Sequence, residues 1–253
     1  PSAAPELRKL LDDTNPRVVI QTAAALGKMK DTGSVDKLIK LLAEHKESAI
    51  RGSSAAALGK IGDKKAVDPL IKALDDPDRQ ILYFITQSLA ELGDKKAIEP
   101  LMKVLKTDKG ATVKIWTAEA LARFGVEDGY KFLSNATQSE NEPEVRDAIL
   151  SIVNIPGEKS FEMLKECFKD KNVVVRKYAA FAAHQKTDAD VMPLLIEALK
   201  DKESLVRYGA AMSLGGIGKK EAIEPLQKAR EQEKDDDVIE MIDYSLNILK
   251  SIK

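Results

Sequence analysis

Along AAALGKIGDKKAVDPLIKALDDPD, residues 55–78, apolar side chains recur at a helical interval and then stop at a polar turn. Val67, Leu70, Ile71 and Leu74 fall on one face of a first helix. After the turn, Ile81, Phe84, Ile85, Ser88 and Leu89 recur at i, i+3, i+4, i+7 and i+8, which predicts a second amphipathic helix. This hairpin repeats. Its most regular leucine returns every 31 or 32 residues as Leu7, Leu38, Leu70, Leu101, Leu133, Leu164, Leu195 and Leu226. A β-branched column opens each second helix at Val18, Ile50, Ile81, Val113, Val145, Val175, Val206 and Val238. A third lies eight residues on, at Leu26, Leu58, Leu89, Leu121, Val153, Ala183, Leu214 and Leu246. One such hairpin cannot bury its own apolar face, so the pattern predicts stacked, all-α hairpins.

The residues between the columns read as punctuation. Gly62, Gly93, Gly125 and Gly218 follow second helices, where a left-handed residue ends a helix without a Cβ clash, and Asp63 and Asp94 are placed to cap the next helix. Pro69, Pro100 and Pro225 directly precede the marker leucine, with Pro193 one residue further upstream, and are expected to bend the first helix near its start. DDPD at 75–78, KTDKG at 106–110 and KDKES at 200–204 are polar inter-helix turns. The fifth unit departs most, reading IVNIPG at 152–157 with Thr137 at an apolar helix position, and is expected to be irregular. The small residues Ser2 to Ala4 and the polar LQKAREQEK from Leu226 are the composition expected of terminal, water-facing repeats, and the expectation is of a complete array.

Around the second helix the chain follows D-x-x-V-R-x-x-A-A-x-A-L-G-x-x-G-D. Ile50-Arg51, Ala55 to Gly59 and Gly62-Asp63 carry it in the second unit, and Val206-Arg207, Ala210, Ala211, Leu214, Gly215 and Gly218 in the seventh. This pattern resembles the HEAT-repeat family, particularly the short form also found in phycobilin lyases. The resemblance covers essentially the whole chain. It implies one right-handed α-solenoid over residues 1–253, with repeats near 5–35, 36–67, 68–98, 99–130, 131–161, 162–191, 192–223 and 224–253. It also implies that the second helices line a concave surface. It does not imply a function, because such arrays serve as adaptors, chaperones, transport factors and, in some members, enzymes.

Composition narrows the field. A formal net charge of −1 argues against a dedicated nucleic-acid binder, which carries a basic excess to displace counterions. The single cysteine, Cys167, cannot form an internal disulfide and sits in an apolar helical pattern, which reads as a core residue in a reducing, cytoplasmic compartment. No apolar run approaches the roughly 20 residues that cross a bilayer.

No catalytic residue, metal ligand or cofactor is expected. The two histidines, His45 and His184, are followed by Lys46 and Gln185, whereas HEAT-like hydroxylases need several His-Glu pairs to hold two irons. The acidic runs Asp75-Asp76, Asp78 and Asp235 to Asp237 lack the ligand order and central glycine of a calcium loop. Arg51, Lys114, Arg146, Arg176 and Arg207 form a basic ladder at one equivalent position. It reads either as a phosphate or acidic-peptide track or, the favoured reading, as a structural arginine paired with an acidic loop of a neighbouring unit.

Seven of the twelve aromatics lie on second helices, namely Tyr83, Phe84, Trp116, Tyr178, Phe181, Tyr208 and Tyr244. Setting the core stripe by the columns leaves Tyr83, Ile115, Asp147, Lys177 and Tyr208, and one turn later Gln87, Glu119, Phe181, Met212 and Tyr244, on the opposite face. Ser151 joins that face, while Phe84, Trp116 and Tyr178 fall on the core side. Aromatic and Met anchors among charges are the composition of a protein-binding hot spot. The expected function is a non-enzymatic scaffold or adaptor that binds a protein or peptide of unnamed identity there. The rival reading is a phycobilin-lyase-like or chaperone-like subunit acting on a partner protein. Nucleic-acid binding ranks third, opposed by Glu119, Asp147 and Glu240 on the same face.

Overall fold

The computed structural model describes residues 3–107, 109–187 and 190–252, and it is helical wherever the columns run. Ser2 and Asp108, which belong to the opening small residues and to the KTDKG turn, lie outside the described residues. The chain falls into two compact units, Pro1–Gly129 and Tyr130–Lys253. Each is an all-α solenoid of stacked helical hairpins, with about eight such repeats along the chain.

In the first unit the helices are α1 (Ala4–Lys9), α2 (Pro16–Lys28), α3 (Val35–Glu44), α4 (Ser48–Ile61), α5 (Val67–Ala73), α6 (Leu82–Leu92), α7 (Ile98–Lys106) and α8 (Ala111–Arg123). α9 (Glu127–Ala136) begins at its end. The second unit continues with α10 (Glu142–Asn154), α11 (Glu158–Lys169), α12 (Val173–Ala182), α13 (Met192–Ala198), α14 (Ser204–Ile217), α15 (Ile223–Gln232) and α16 (Asp236–Ser251).

The columns are the core. From Leu38 to Leu226 every marker leucine is fully buried, and so are the β-branched residues from Ile50 to Val238. At roughly 1.5–3 kcal/mol per buried Leu, Ile or Val, this repeated stripe is the main stabilising term. The first repeat slips by one position, with Val19 buried in place of the half-buried Val18.

Helix ends follow the punctuation. Gly62, Gly93 and Gly218 close α4, α6 and α14 at φ of 82°, 64° and 73°. Asp63 and Asp94 then accept from the backbone N–H of Lys65 and Lys96 at 2.9 and 3.0 Å. Pro69, Pro100 and Pro225 each sit in the first turn of an α-helix entered through a 3₁₀ turn (Lys64–Ala66, Lys95–Ala97 and Lys220–Ala222). There the missing N–H leaves no bond unmade. In the fifth repeat, IVNIPG replaces the usual helix-ending glycine with a buried Ile155 before Gly157, and Thr137 is buried with its hydroxyl donating to Ser134 O at 2.8 Å.

Neighbouring second helices approach closely because their contact residues are small. A Cβ added at Gly27 would lie 3.0 Å from Ala57 Cα, and one at Gly215 would lie 2.6 Å from Ser245 Oγ. Across these seams Ser88 Oγ donates to Ala55 O (2.8 Å), Ser213 Oγ to Ala180 O (2.6 Å) and Ser245 Oγ to Ala211 O (2.9 Å). Each hydroxyl thus reaches back to the preceding repeat, for about 0.5–1.5 kcal/mol of net stabilisation apiece.

Candidate protein-binding surface

In the first unit the second helices α6 and α8 hold a cluster of three rings. Tyr83 stands edge-on to Phe84 and Trp116, with centroids 5.5 and 5.4 Å apart. Tyr83 is 37% exposed and Phe84 41%, so Phe84, expected on the core side, is a surface residue. It lies against Gly52, where an added Cβ would come 3.0 Å from Phe84 Cδ2; the bare backbone of α4 lets the ring lie outside the stripe. Trp116 is half-buried. Gln87 is half-buried and its Oε1 accepts a long bond of 3.4 Å from Arg123. Burial foremost, and then the charge of Glu119, raises the Tyr83 phenol above its ordinary range.

Two residues expected on this face are not on it. Ile115 and Glu119 are 1% and 3% exposed, and Ser151 of the second unit is buried as well. α8 is covered on most of its faces, with Val113, Ile115 and Thr117 through Ala122 buried, and Gly129 at the start of α9 lies close against the backbone of its Ala118 and Ala122. A face assigned from one helix's periodicity does not hold for a helix covered on several sides.

In the second unit α12, α14 and α16 present the corresponding side chains. Phe181 and Tyr208 pack with centroids 5.9 Å apart, and a Cβ on Gly209 would meet Phe181 Cδ2 at 2.9 Å, so glycine again makes room for a ring. Met212 is half-buried, and Tyr244 is 61% exposed. Leu205, which the periodicity did not single out, is 56% exposed. Its signal was an apolar residue directly before the β-branched column, where most other repeats carry Arg17, Gln80, Thr112, Glu144 or Asp237.

Asp147 and Lys177 are taken up internally. Asp147 accepts from Arg146 Nε and Nη2 at 2.9 and 2.8 Å, and Lys177 donates to Glu142, which also accepts from Tyr178 OH at 2.8 Å. The Lys177 and Tyr178 bonds hold the Glu142 carboxyl below its usual range.

The basic ladder is mostly a set of stitches. Arg51 grips both oxygens of Asp76 at 2.7 and 2.8 Å, Arg176 those of Asp201 at 2.7 and 3.1 Å, and Arg207 those of Glu233 at 2.6 and 2.8 Å. In each case the acid belongs to the next repeat's turn. The same guanidinium also donates to two carbonyls of its own turn, such as Asp170 O and Lys171 O for Arg176. Arg146 pairs instead with its neighbour Asp147, and Lys114 is half-buried.

Arg207 foremost, aided by the N–H groups of Asp235 and Lys234, lowers the Glu233 carboxyl from 4.5 to about 2. A depressed carboxylate stabilises the fold fully above its unfolded pKa and loses that contribution as pH falls through its folded one. The expected contribution, on the order of 3 kcal/mol, is complete above pH 4.5 and fades toward pH 2. Urea unfolding of the native chain and of Glu233→Gln should differ most at neutral pH and converge as the pH is lowered to 2; a gap independent of pH would contradict the assignment.

Reactive groups are locked away. Cys167 is buried and its thiol is pushed up to about 12, by burial first, which leaves no thiolate at neutral pH. His184 Nδ1 lies 3.0 Å from Phe181 O and 3.2 Å from Ser213 Oγ. A carbonyl only accepts, so Nδ1 carries the hydrogen, and the fully buried Ser213 hydroxyl is itself committed to Ala180 O. That arrangement orients helices and gives no nucleophile. Among the described residues no group of three or more His, Cys, Asp or Glu side chains is placed to hold a metal ion. None of the described helices is long and apolar enough to cross a membrane.

Stacked helical hairpins that recur every 31 or 32 residues define a helical-repeat protein. The chain belongs to the HEAT-repeat family, whose profile matches residues 4–83, 67–153 and 161–247. Its relatives include enzymes. Deoxyhypusine hydroxylase of Danio rerio is 31% identical over 96 residues, 37% of this chain and 30% of that protein. Epoxyqueuosine reductase of Bacillus subtilis is 30% identical over 119 residues, 45% of this chain and 31% of that protein. The chain therefore spans about a third of the length of these curated relatives. Among solved structures, that of Escherichia coli YibA aligns at a TM-score of 0.50 and 23% identity, covering 98% of this chain and 92% of that one, a likeness of fold alone.

Proposed function

We propose that the chain is a non-enzymatic scaffold that binds a partner protein or peptide through the exposed side chains of its second helices. The observation that carries this reading is the exposure of Tyr83, Phe84, Leu205 and Tyr244 on helices whose other faces form the core. Repeat stacking does not require large apolar groups in water, and aromatic anchors beside charged groups supply most of the energy of protein contacts.

A hydroxylase activity like that of the relatives is disfavoured by the residues that would have to perform it. His45 is followed by Lys46 and its Nδ1 accepts from the Glu47 N–H at 3.1 Å, while His184 is followed by Gln185 and is engaged with Phe181 and Ser213. A shared repeat between a hydroxylase and a reductase marks common architecture, not common chemistry.

The test is affinity capture from the native host, quantified by mass spectrometry, with the native chain and a Tyr83→Asp/Tyr208→Asp variant. Proteins retained by the native chain should be depleted about tenfold or more on the variant, whose helical circular dichroism should be unchanged. Tyr244→Asp, at a more exposed position, serves as a second variant should Tyr208→Asp disturb folding. Identical capture by all forms would overturn the proposal.

A further inference from the structure

The second-helix face of the second unit contains a groove of about 550 Å³ between α14 and α16. Its apolar surface comes from Leu205 and Tyr208 on α14, Val238, Met241 and Tyr244 on α16, and Phe181 on α12. Its charged lining is Asp235, Asp237 and Glu240, with no basic side chain. Resting on the scaffold reading and extending it, we propose that this groove takes a short segment of a partner protein in which a bulky apolar side chain is flanked by lysine or arginine.

Three observations converge on that occupant. The first is the pairing of apolar floor and exposure: Leu205 on α14 and Tyr244 on α16 both line the groove while 56% and 61% exposed. An inserted side chain of a partner would shield both, along with the half-buried Met241.

The second is the sign of the rim. Carboxylates at the start of a helix have a local explanation, and Asp235 does cap α16, its Oδ1 accepting from Val238 N at 3.3 Å. Asp237 lies in the first turn, where a negative charge complements the helix dipole. Glu240 lies beyond that turn, on the groove side of the helix with Asp237 and Tyr244 three and four residues away, and the dipole does not account for it. An all-acidic rim attracts basic segments and repels acidic ones.

The third is a contrast within the same unit. The groove between the first helices α13 and α15 is larger, about 780 Å³, but its charged lining is of both signs in equal number, and it includes the ion pairs Arg207–Glu233 and Lys228–Glu224. A groove that neutralises itself offers no charge selectivity. The α14–α16 groove combines single-signed charge with uncovered apolar surface.

The experiment uses the full chain and a fluorescein-labelled octapeptide carrying Trp-Leu at its centre and three Lys or Arg residues on each side, read by fluorescence anisotropy. The expected result is saturable binding that weakens about tenfold or more for Leu205→Ser and for Tyr244→Ser, since hot-spot truncations have effects of that size. An Asp237→Asn/Glu240→Gln variant should weaken binding about threefold to tenfold at low salt and flatten its salt dependence. A peptide with Ser-Ser at its centre, and one with Glu in place of Lys and Arg, should both bind at least tenfold more weakly.

Leu205 and Tyr244 are exposed, and unchanged helical circular dichroism keeps their variants interpretable. Equal binding of the acidic peptide would overturn the proposal, and so would unaltered affinity in both serine variants. Absence of peptide binding together with self-association abolished by Tyr244→Ser would overturn it in favour of a second copy as the occupant. If the peptide fails while capture from the host still depends on Tyr83 and Tyr208, this inference falls and the scaffold reading stands.

Discussion

Replacing Arg176 with leucine is expected to lower the stability of the second unit by about 3–5 kcal/mol, the cost of removing one partner of a buried ion pair. Arg176 is 7% exposed and joins three groups at once: both oxygens of Asp201 and the carbonyls of Asp170 and Lys171. Burial works against ionisation of Asp201, and the Arg176 bonds, with help from the Glu203 N–H, outweigh it and keep the acid charged. Leucine fills much of the space but leaves a shielded carboxylate and two carbonyls without their donor. Amide hydrogen exchange in α12 and α14 is the appropriate readout, because two units need not unfold in one transition. Adding Asp201→Asn should recover part of the loss, by removing the stranded charge. A loss below about 1 kcal/mol would place Arg176 with exposed surface pairs.

Gly129→Ala is expected to cost about 2–3 kcal/mol, the upper part of the range for overpacking. The new Cβ would lie 2.5 Å from Ala118 O and 2.7 Å from Ala122 N. Both are backbone atoms of α8 and cannot rotate away, so the start of α9 must lift off. Gly62→Ala provides the comparison. There the added methyl meets nothing within 4 Å, and the cost comes only from holding φ at 82°, about 1–2 kcal/mol. Urea titrations of the two variants should rank them in that order, and equal losses would remove the steric argument.

Most of the architecture was legible because repetition supplies its own controls. A leucine returning every 31 or 32 residues cannot arise from local propensity, and residues Leu38 through Leu226 of that column are all buried. What escaped the pattern depends on contacts between helices. Phe84 was assigned inward from its spacing, yet the missing side chain at Gly52 lets its ring sit outside. Ile115 and Glu119 were assigned outward, yet α8 is enclosed on most sides.

Ser151 illustrates the same limit. It stands 18 residues after its marker leucine, as Ser88 and Ser213 do, and all three are buried. A hydroxyl at that register fits a tight seam, where a longer polar side chain would not. The acidic groove was half visible: Tyr208, Phe181 and Tyr244 stood out, whereas Leu205 belongs to no column and gains meaning only as part of the same groove lining as Tyr244.

The stitches between repeats run in opposite directions. Serine hydroxyls reach back to the repeat before, and Arg51, Arg176 and Arg207 reach forward to the one after. Under tension applied along the hairpins of either unit, the described stitches offer no single clasp whose rupture releases everything. Each unit would instead pay out in instalments of one hairpin, 31 or 32 residues and so roughly 100–110 Å of extended chain at a time. Such a unit would yield in steps rather than all at once.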